Sequence, residues 1–317
     1  MRSPIVVGVL VAIAAAVLFG IGAPVIAWAG QGVGAFATAC LLYAGAAIVG
    51  WARWRGSMTK QDLPRLSIIA VCGAAIAPAL LVIGLQRAGA LTASLLLNLE
   101  AIFTVVIAAA VTREHVAKRV WLAVVIMAAG GAALSFDAAE HGTGGVIGAL
   151  AVIGATLAWA LDNNLTAPLS SREPFDVVAS KATLGAALTG IAAVIARDSW
   201  PSLAHLAALL ACGATAYGIS LALYITAQRR IGAARTGSVF ALAPFIGASI
   251  AWMLGERALG VWALVAIALF VLGVYLHVSE QLLVHTHLHR HGDGEDHSHT
   301  HDPPFIGEHS HEHAHTH

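Results

Sequence analysis

Apolar residues run in long unbroken stretches along this chain, and polar residues are confined to short interruptions between them. A helix that spans a bilayer needs roughly 20 predominantly apolar residues. The pattern predicts ten, over residues 4–27, 32–52, 66–86, 91–111, 117–136, 144–168, 177–197, 202–226, 233–254 and 258–278. Connections are short. Gly and Ala recur inside the runs, and such small residues let membrane helices approach closely. The first run begins at Pro4 and continues through Trp28, too long for the core of a signal peptide, so it is expected to remain as a spanning helix.

Composition supports lipid as the solvent. Of 317 residues 58% are hydrophobic and 11% charged, against about a quarter charged in soluble domains. The placement of Lys and Arg predicts orientation. With a cytoplasmic N-terminus, 14 of the 17 fall on the inside and only Arg87, Arg197 and Arg257 on the outside. By the positive-inside rule both ends are cytoplasmic and the helix count is even. Nothing in the membrane part suggests a nucleic-acid partner. Cys40, Cys72 and Cys212 lie scattered in apolar runs and read as buried small hydrophobes.

The chain also repeats itself. Cys72-Gly73-Ala74 leads on to Gln86-Arg87 and Gly89; Cys212-Gly213-Ala214 leads to Gln228-Arg229 and Gly232, at an offset drifting from 140 to 143. Thr112-Arg113-Glu114 closes one helix and Gly255-Glu256-Arg257 its counterpart. Five helices is an odd number, so the second copy is expected upside down relative to the first, as in many secondary transporters. The expected organisation is a five-helix repeat over 1–140, a second over 141–278, and a tail over 279–317.

These residues resemble the EamA-type members of the drug/metabolite transporter superfamily over about residues 5–278. The most specific stretch is Gly89 to Glu114, with a Gly/Ala-rich start, a Leu99-Glu100-Ala101 element and a closing acidic turn; the second copy keeps Gly232-Ala233-Ala234, Leu242-Ala243-Pro244 and Gly255-Glu256. Ala101 stands where the family often has proline, and Arg113 where it often has glycine. The resemblance implies a ten-helix all-α bundle of two inverted repeats around a central cavity, moving small organic solutes, often outward.

Charges in hydrocarbon are costly, about 2.5–3.5 kcal/mol on insertion scales, so each interior polar group needs a reason. Asp162-Asn163-Asn164 fan across about 200° of a helix, so at least one must leave the lipid. They are candidates for a substrate or proton site; the alternative is a position among headgroups at the cytoplasmic end. Asn98 and Glu100 form a second cluster. Glu100 sits near mid-helix, where a carboxylate is paired, protonated or lining water, with Arg87 or Lys181 as candidate partners. Lys181 is either a counter-ion, an anchor for an anionic substrate, or a lysine whose head snorkels to the interface. Pro24, Pro78, Pro168 and Pro244 are expected to kink helices, Gln86 and Gln228 to bond between them, and most of the tryptophans to anchor membrane ends.

After Val278 the composition changes. Twelve of the 16 histidines follow in H-x-H steps: His285, His287, His289, His291; His297, His299, His301; His309, His311, His313, His315, His317. Acidic residues lie among them, and the segment is expected to be disordered when unliganded. Flexible H-x-H steps suit zinc, nickel, cobalt or copper, as overlapping weak sites. The metal is either cargo or a regulator of a pore that moves something else. No cofactor is required and no enzyme motif appears: no nucleophile elbow, phosphate loop or zinc-hydrolase pattern. A homodimer remains open. The expected function is a secondary transporter of the inner membrane, with a metal efflux protein and a non-transporting metal store as alternatives.

Overall fold

The computed structural model describes residues 4–111, 117–140, 142–256, 260–290 and 308–314. The membrane part is helical: α1 (Pro4–Ala29), α2 (Ala35–Ala52), α3 (Leu63–Ile69), α4 (Ala77–Leu96), α5 (Leu99–Val111), α6 (Lys118–Glu140), α7 (Thr143–Thr166), α8 (Pro174–Ala196), α9 (Leu203–Cys212), α10 (Ser220–Ile231), α11 (Ala233–Phe240), α12 (Ala243–Met253) and α13 (Val261–Leu283). Among the described residues nine helical stretches are long and apolar enough to cross a bilayer, and Leu99–Ala110 is a shorter apolar one.

The difference from ten even spans has a physical source. Short π-helices, Ala70–Ile76 and Gly213–Ile219, join α3 to α4 and α9 to α10. A π-turn inserts one extra residue and leaves a carbonyl without its usual partner. The first rod then runs on through Gly89 to Leu96, bending where Gly89 takes φ 80°, ψ 166°. Only glycine adopts this conformation readily. Gly232, with φ 82° and ψ 161°, makes the same bend between α10 and α11. The expected fourth span is broken at Leu97–Asn98, and the expected ninth at Ala241–Leu242, just before Pro244. Proline has no N–H to donate, so a helix starts cleanly at it. The π segments, like the two glycines, stand 143 positions apart. In that register Gly73 aligns with Ala216, not with Gly213 as the cysteine match suggests.

Packing rests on backbone approach. A methyl at Gly45 would sit 2.1 Å from Leu210 O, one at Gly213 2.0 Å from Leu42 O, and one at Gly50 2.5 Å from Ala179 N. The core is correspondingly rich in alanine, with Ile26, Leu42, Leu81, Leu95 and Phe270 among its largest buried side chains. Trp28, Trp51, Trp121, Trp200, Trp252 and Trp262 are exposed, as membrane-end anchors would be.

Helix starts are capped from elsewhere in the chain. The Glu256 carboxylate accepts from Ala90 N at 3.1 Å and Leu91 N at 2.8 Å, where the helix resumes after Gly89. Asp198 accepts from Ala37 N in the first turn of α2 at 3.0 Å, and Asp137 from Ala263 N in the first turn of α13 at 3.2 Å. Asp176, wholly buried, holds the loop after α2 by accepting from Arg55 N at 2.7 Å and Ser57 N at 2.5 Å. Gln86 bonds the carbonyls of Gly30 and Val33 after α1, as an inter-helix role requires.

Residues 284–290 and 308–314 pair as two antiparallel strands, β1 and β2, with His285 opposite His313, His287 opposite His311 and His289 opposite His309. The last helix reaches Leu283, five residues past the expected end. His291, His297, His299, His301, His315 and His317 lie outside the described residues.

Asp137→Ala should lower stability by about 1–3 kcal/mol, the cost of leaving a buried N–H without a partner. Asp137→Asn, which keeps an acceptor, should cost less. Thermal unfolding of the purified protein in detergent distinguishes the two, and equal losses would remove the cap from the account.

Candidate functional site

The three-residue polar fan on α7 resolves into two directions. Asp162 faces α8 and is buried; its Oδ2 lies 2.5 Å from Lys181 Nζ, with side-chain exposures of 4% and 5%. Thr166 donates to its other oxygen at 3.3 Å. Asn163 and Asn164 face α5. Asn163 Nδ2 donates to Glu100 Oε1 at 2.7 Å, and Asn164 Nδ2 to the carbonyls of Thr104 at 3.2 Å and Ala160 at 2.8 Å. Helix α7 thus carries polar stitches to two neighbours. Asp162 is buried between helices and paired with Lys181.

Two expectations need correction. The partner of Lys181 is Asp162, not Glu100, and Arg87 is exposed. Lys181 also does not snorkel, since its ammonium is buried against a carboxylate. The pair is buried because ionised groups in a low-dielectric interior persist only when opposed and hydrogen-bonded. Glu100 is half-buried in the first turn of α5, where the helix dipole favours an anion. Its charge lies close enough to interact with Asp162 and Lys181.

Sequence reasoning missed the wall that surrounds these groups. The Gly73 carbonyl, in the first π segment, accepts from Tyr43 Oη at 2.5 Å and Trp159 Nε1 at 2.9 Å. A methyl at Gly73 would stand 2.3 Å from the Asp162 carboxylate, so glycine makes room for the ion pair. Around this point rings gather: Phe19 lies 6.1 Å from Trp159, 5.9 Å from Tyr217 and 5.4 Å from Phe240, and Tyr43 lies 5.5 Å from Tyr217. Trp159 was the available signal. It is the one tryptophan of eight placed well inside a predicted span and left out of the belt.

A small cavity opens beside this cluster. It is lined by Phe19 of α1, Ser94 of α4, Leu97 of the first break, Tyr217 of the second π segment, and Pro244 and Gly247 of α12. The first break, through Leu97, and the helix that restarts just after the second, through Ala243 and Pro244, therefore reach one cavity, one from each half of the chain. Asn98, at the first break, is buried and donates to Leu95 O at 2.9 Å.

The EamA-like transporter family matches residues 6–136 and 146–279. The chain belongs to that family. The match takes in every residue of the cavity and of the polar cluster, and with the apolar helices it supports a multi-pass membrane protein. An uncharacterized transporter of Methanothermobacter thermautotrophicus is 27% identical over 201 residues, 62% of this chain and 58% of that protein. The chain thus spans a little over half the length of that relative. A solved crystal structure aligns with TM-score 0.64 at 20% identity, over 86% of this chain and 98% of the other, which shows a shared fold. Among the described residues no group of three or more His, Cys, Asp or Glu side chains is placed to hold a metal ion.

Breaking the ion pair from one side should be worse than removing it. Lys181→Met or Asp162→Asn alone should cost about 3–5 kcal/mol, and the double substitution less than either. A double-mutant cycle by thermal unfolding checks this; additive losses would mean that the two groups do not act as a pair.

Proposed function

We propose that this EamA protein is a secondary transporter that exports a small organic solute across the inner membrane by alternating access, with both termini cytoplasmic. The single observation that carries the reading is the meeting of two broken helices, one from each half, at one cavity. Discontinuous helices facing a central site between repeats are a recurrent transporter design, because freed backbone groups are tolerated only where protein or cargo satisfies them. The matched π segments, positive-φ glycines and breaks support two five-helix repeats. The charge distribution along the sequence supports their inverted arrangement, which lets one half rock against the other. Glu100, Asn98, Asn163 and Asn164 form the polar side of the path. Asp162 and Lys181, closed on each other, hold its wall.

The His-rich tail supports a second element of the proposal: it binds zinc, nickel, cobalt or copper as a cytoplasmic buffer or regulator. The reading in which metal is the cargo rests on the same histidines and makes a different prediction. Under metal efflux, deleting residues 285–317 weakens cellular protection against that metal and metal flux follows in liposomes. Under the regulatory reading, the truncated protein still exports an organic solute. A metal store that transports nothing would bind metal in liposomes and show neither flux.

Glu100→Gln should reduce export of a solute identified by metabolite screening roughly tenfold or more, with membrane insertion and thermal unfolding unchanged, as expected for an interior acid on the transport path. Wild-type flux in that variant would remove Glu100 from the path. Alternating access itself is checked by one cysteine at Ala243 in a protein lacking Cys40, Cys72 and Cys212. Impermeant thiol reagents should reach it from each side in turn, the balance shifting with cargo; access from one side only would refute the mechanism.

A further inference from the structure

Helices α2 and α8 come from opposite halves of the chain, yet they are joined at both ends and along their length. At one end the wholly buried Asp176 carboxylate, in the first turn of α8, accepts from Arg55 N and Ser57 N just after α2, and Glu173 N donates back to Ser57 Oγ at 2.8 Å. Arg172 and Asp62 add an ion pair at 3.2 Å. At the other end Asp198, just after α8, accepts from Ala37 N. Gly34 N there donates to Ser199 O at 3.0 Å, and Ser199 Oγ to Gly32 O at 2.6 Å. Along the seam Trp51 Nε1 donates to Thr183 Oγ1 at 2.8 Å, and a methyl at Gly190 would lie 3.2 Å from Cys40 Sγ. Parting or sliding this pair would leave a buried carboxylate and the N–H groups it serves unmet, which is costly.

Both π segments rest on the same pair, each on the helix of the other half. The second packs on α2, where a methyl at Gly218 would stand 3.1 Å from Ala46 Cα and one at Gly213 meets Leu42 O. The first packs on α8, where a methyl at Gly185 would stand 2.4 Å from Ala74 Cβ and 2.8 Å from Ala74 O. Tyr43 of α2 also holds the Gly73 carbonyl. Beyond the π segments each rod runs on to its glycine bend, Gly89 or Gly232, and then to its break. π-turns are where helices bend and where function concentrates. We propose that α2 and α8 form one stationary unit, and that the inward and outward states differ by movement of the two rods beyond their π segments around it. This deepens the transporter reading and rests on it. The moving parts are then the rods that end at the cavity, and not the two halves as rigid wholes.

A native cysteine lets the seam be locked. In a full-length protein that keeps Cys40, lacks Cys72 and Cys212 and carries Gly190→Cys, mild oxidation should join residues 40 and 190, whose approach suits a disulfide. Ala243→Cys is added as the reporter, and peptide mapping verifies which thiols are joined. Impermeant thiol reagents are then applied from each side, before and after reduction. Reduction returns the same molecule to its unlocked form, so a folding defect cannot pass for a locked seam. A link that both states tolerate shifts neither, so labelling of residue 243 from each side should stay within about twofold of the reduced protein. A loss of about tenfold or more on one side, seen only after oxidation, would mean that the seam opens during the cycle and would overturn the unit. Failure of residues 40 and 190 to join under mild oxidation would overturn it as well. Should the reduced protein itself be reachable from one side only, alternating access falls and this proposal with it, an outcome distinct from a block that appears with the disulfide.

Discussion

Hydrocarbon offers no hydrogen bonds, and that constraint decides where this chain may depart from a helix. Every interruption in the membrane part leaves backbone groups that water cannot serve. The structure answers with side chains drawn from distant parts of the sequence. Glu256 meets the helix that restarts after Gly89, Asp198 meets the start of α2, and Asp137 the start of α13. Tyr43 and Trp159 meet the carbonyl that a π-turn sets free at Gly73. These bonds tie non-neighbouring segments and therefore do more than close valences. Each fixes the rotation and depth of one helix against another, where Gly and Ala faces alone would let them slide.

The same logic accounts for the ion pair. Replacing a buried salt bridge by well-packed apolar groups is often neutral or stabilising, so Asp162 and Lys181 are weak evidence of stabilisation in themselves. Their contribution is uniqueness. The pair admits one approach of α7 to α8, and Gly73 must be a glycine for the carboxylate to stand there. That placement turns Asn163 toward Glu100 and Asn164 toward the Thr104 carbonyl, both on α5. A fan of three polar residues on one helix thus orients three helices at once.

Much of this was legible in the chain. Apolar run lengths marked most of the helices but not the joining and breaking of the expected third, fourth and ninth spans, and the Gly89 and Glu256 elements marked positions that the backbone uses as a bend and its cap. Glu100, Asn98, Asp162, Asn163, Asn164 and Lys181 stood out because charge and amide groups are rare in such a sequence, and the structure brings most of them into one region. What stayed hidden is of another kind. A π-turn has no signature in hydrophobic periodicity, because one inserted residue barely shifts an apolar face that is apolar all round. At the breaks Leu97–Asn98 and Ala241–Leu242 the chain does carry Asn98, Glu100 and Pro244, but those residues read as interior polar groups and a kink and not as the end of one helix and the start of another. Aromatic residues from four separate segments meet at Tyr217, and no local pattern announces a meeting in space.

The position of the tail bears on what its histidines do. It continues from α13, whose first turn is held by Asp137 of α6 and whose Phe270 packs against Gly130 of the same helix. The cavity is lined from α1, α4, the second π segment and α12, together with the first break. A tail continuing from Leu283 therefore leaves from a helix pair at the cavity's flank, not from an element that lines it. A tail that handed ions to the path would be expected to hang from a lining element, where liganding side chains could continue inward. One attached to α13 is placed to pull on a helix that also touches α11, the segment just before the second break. Under the proposed regulatory reading, metal held by the tail would act through that helix pair on the second break, with no ion entering the path.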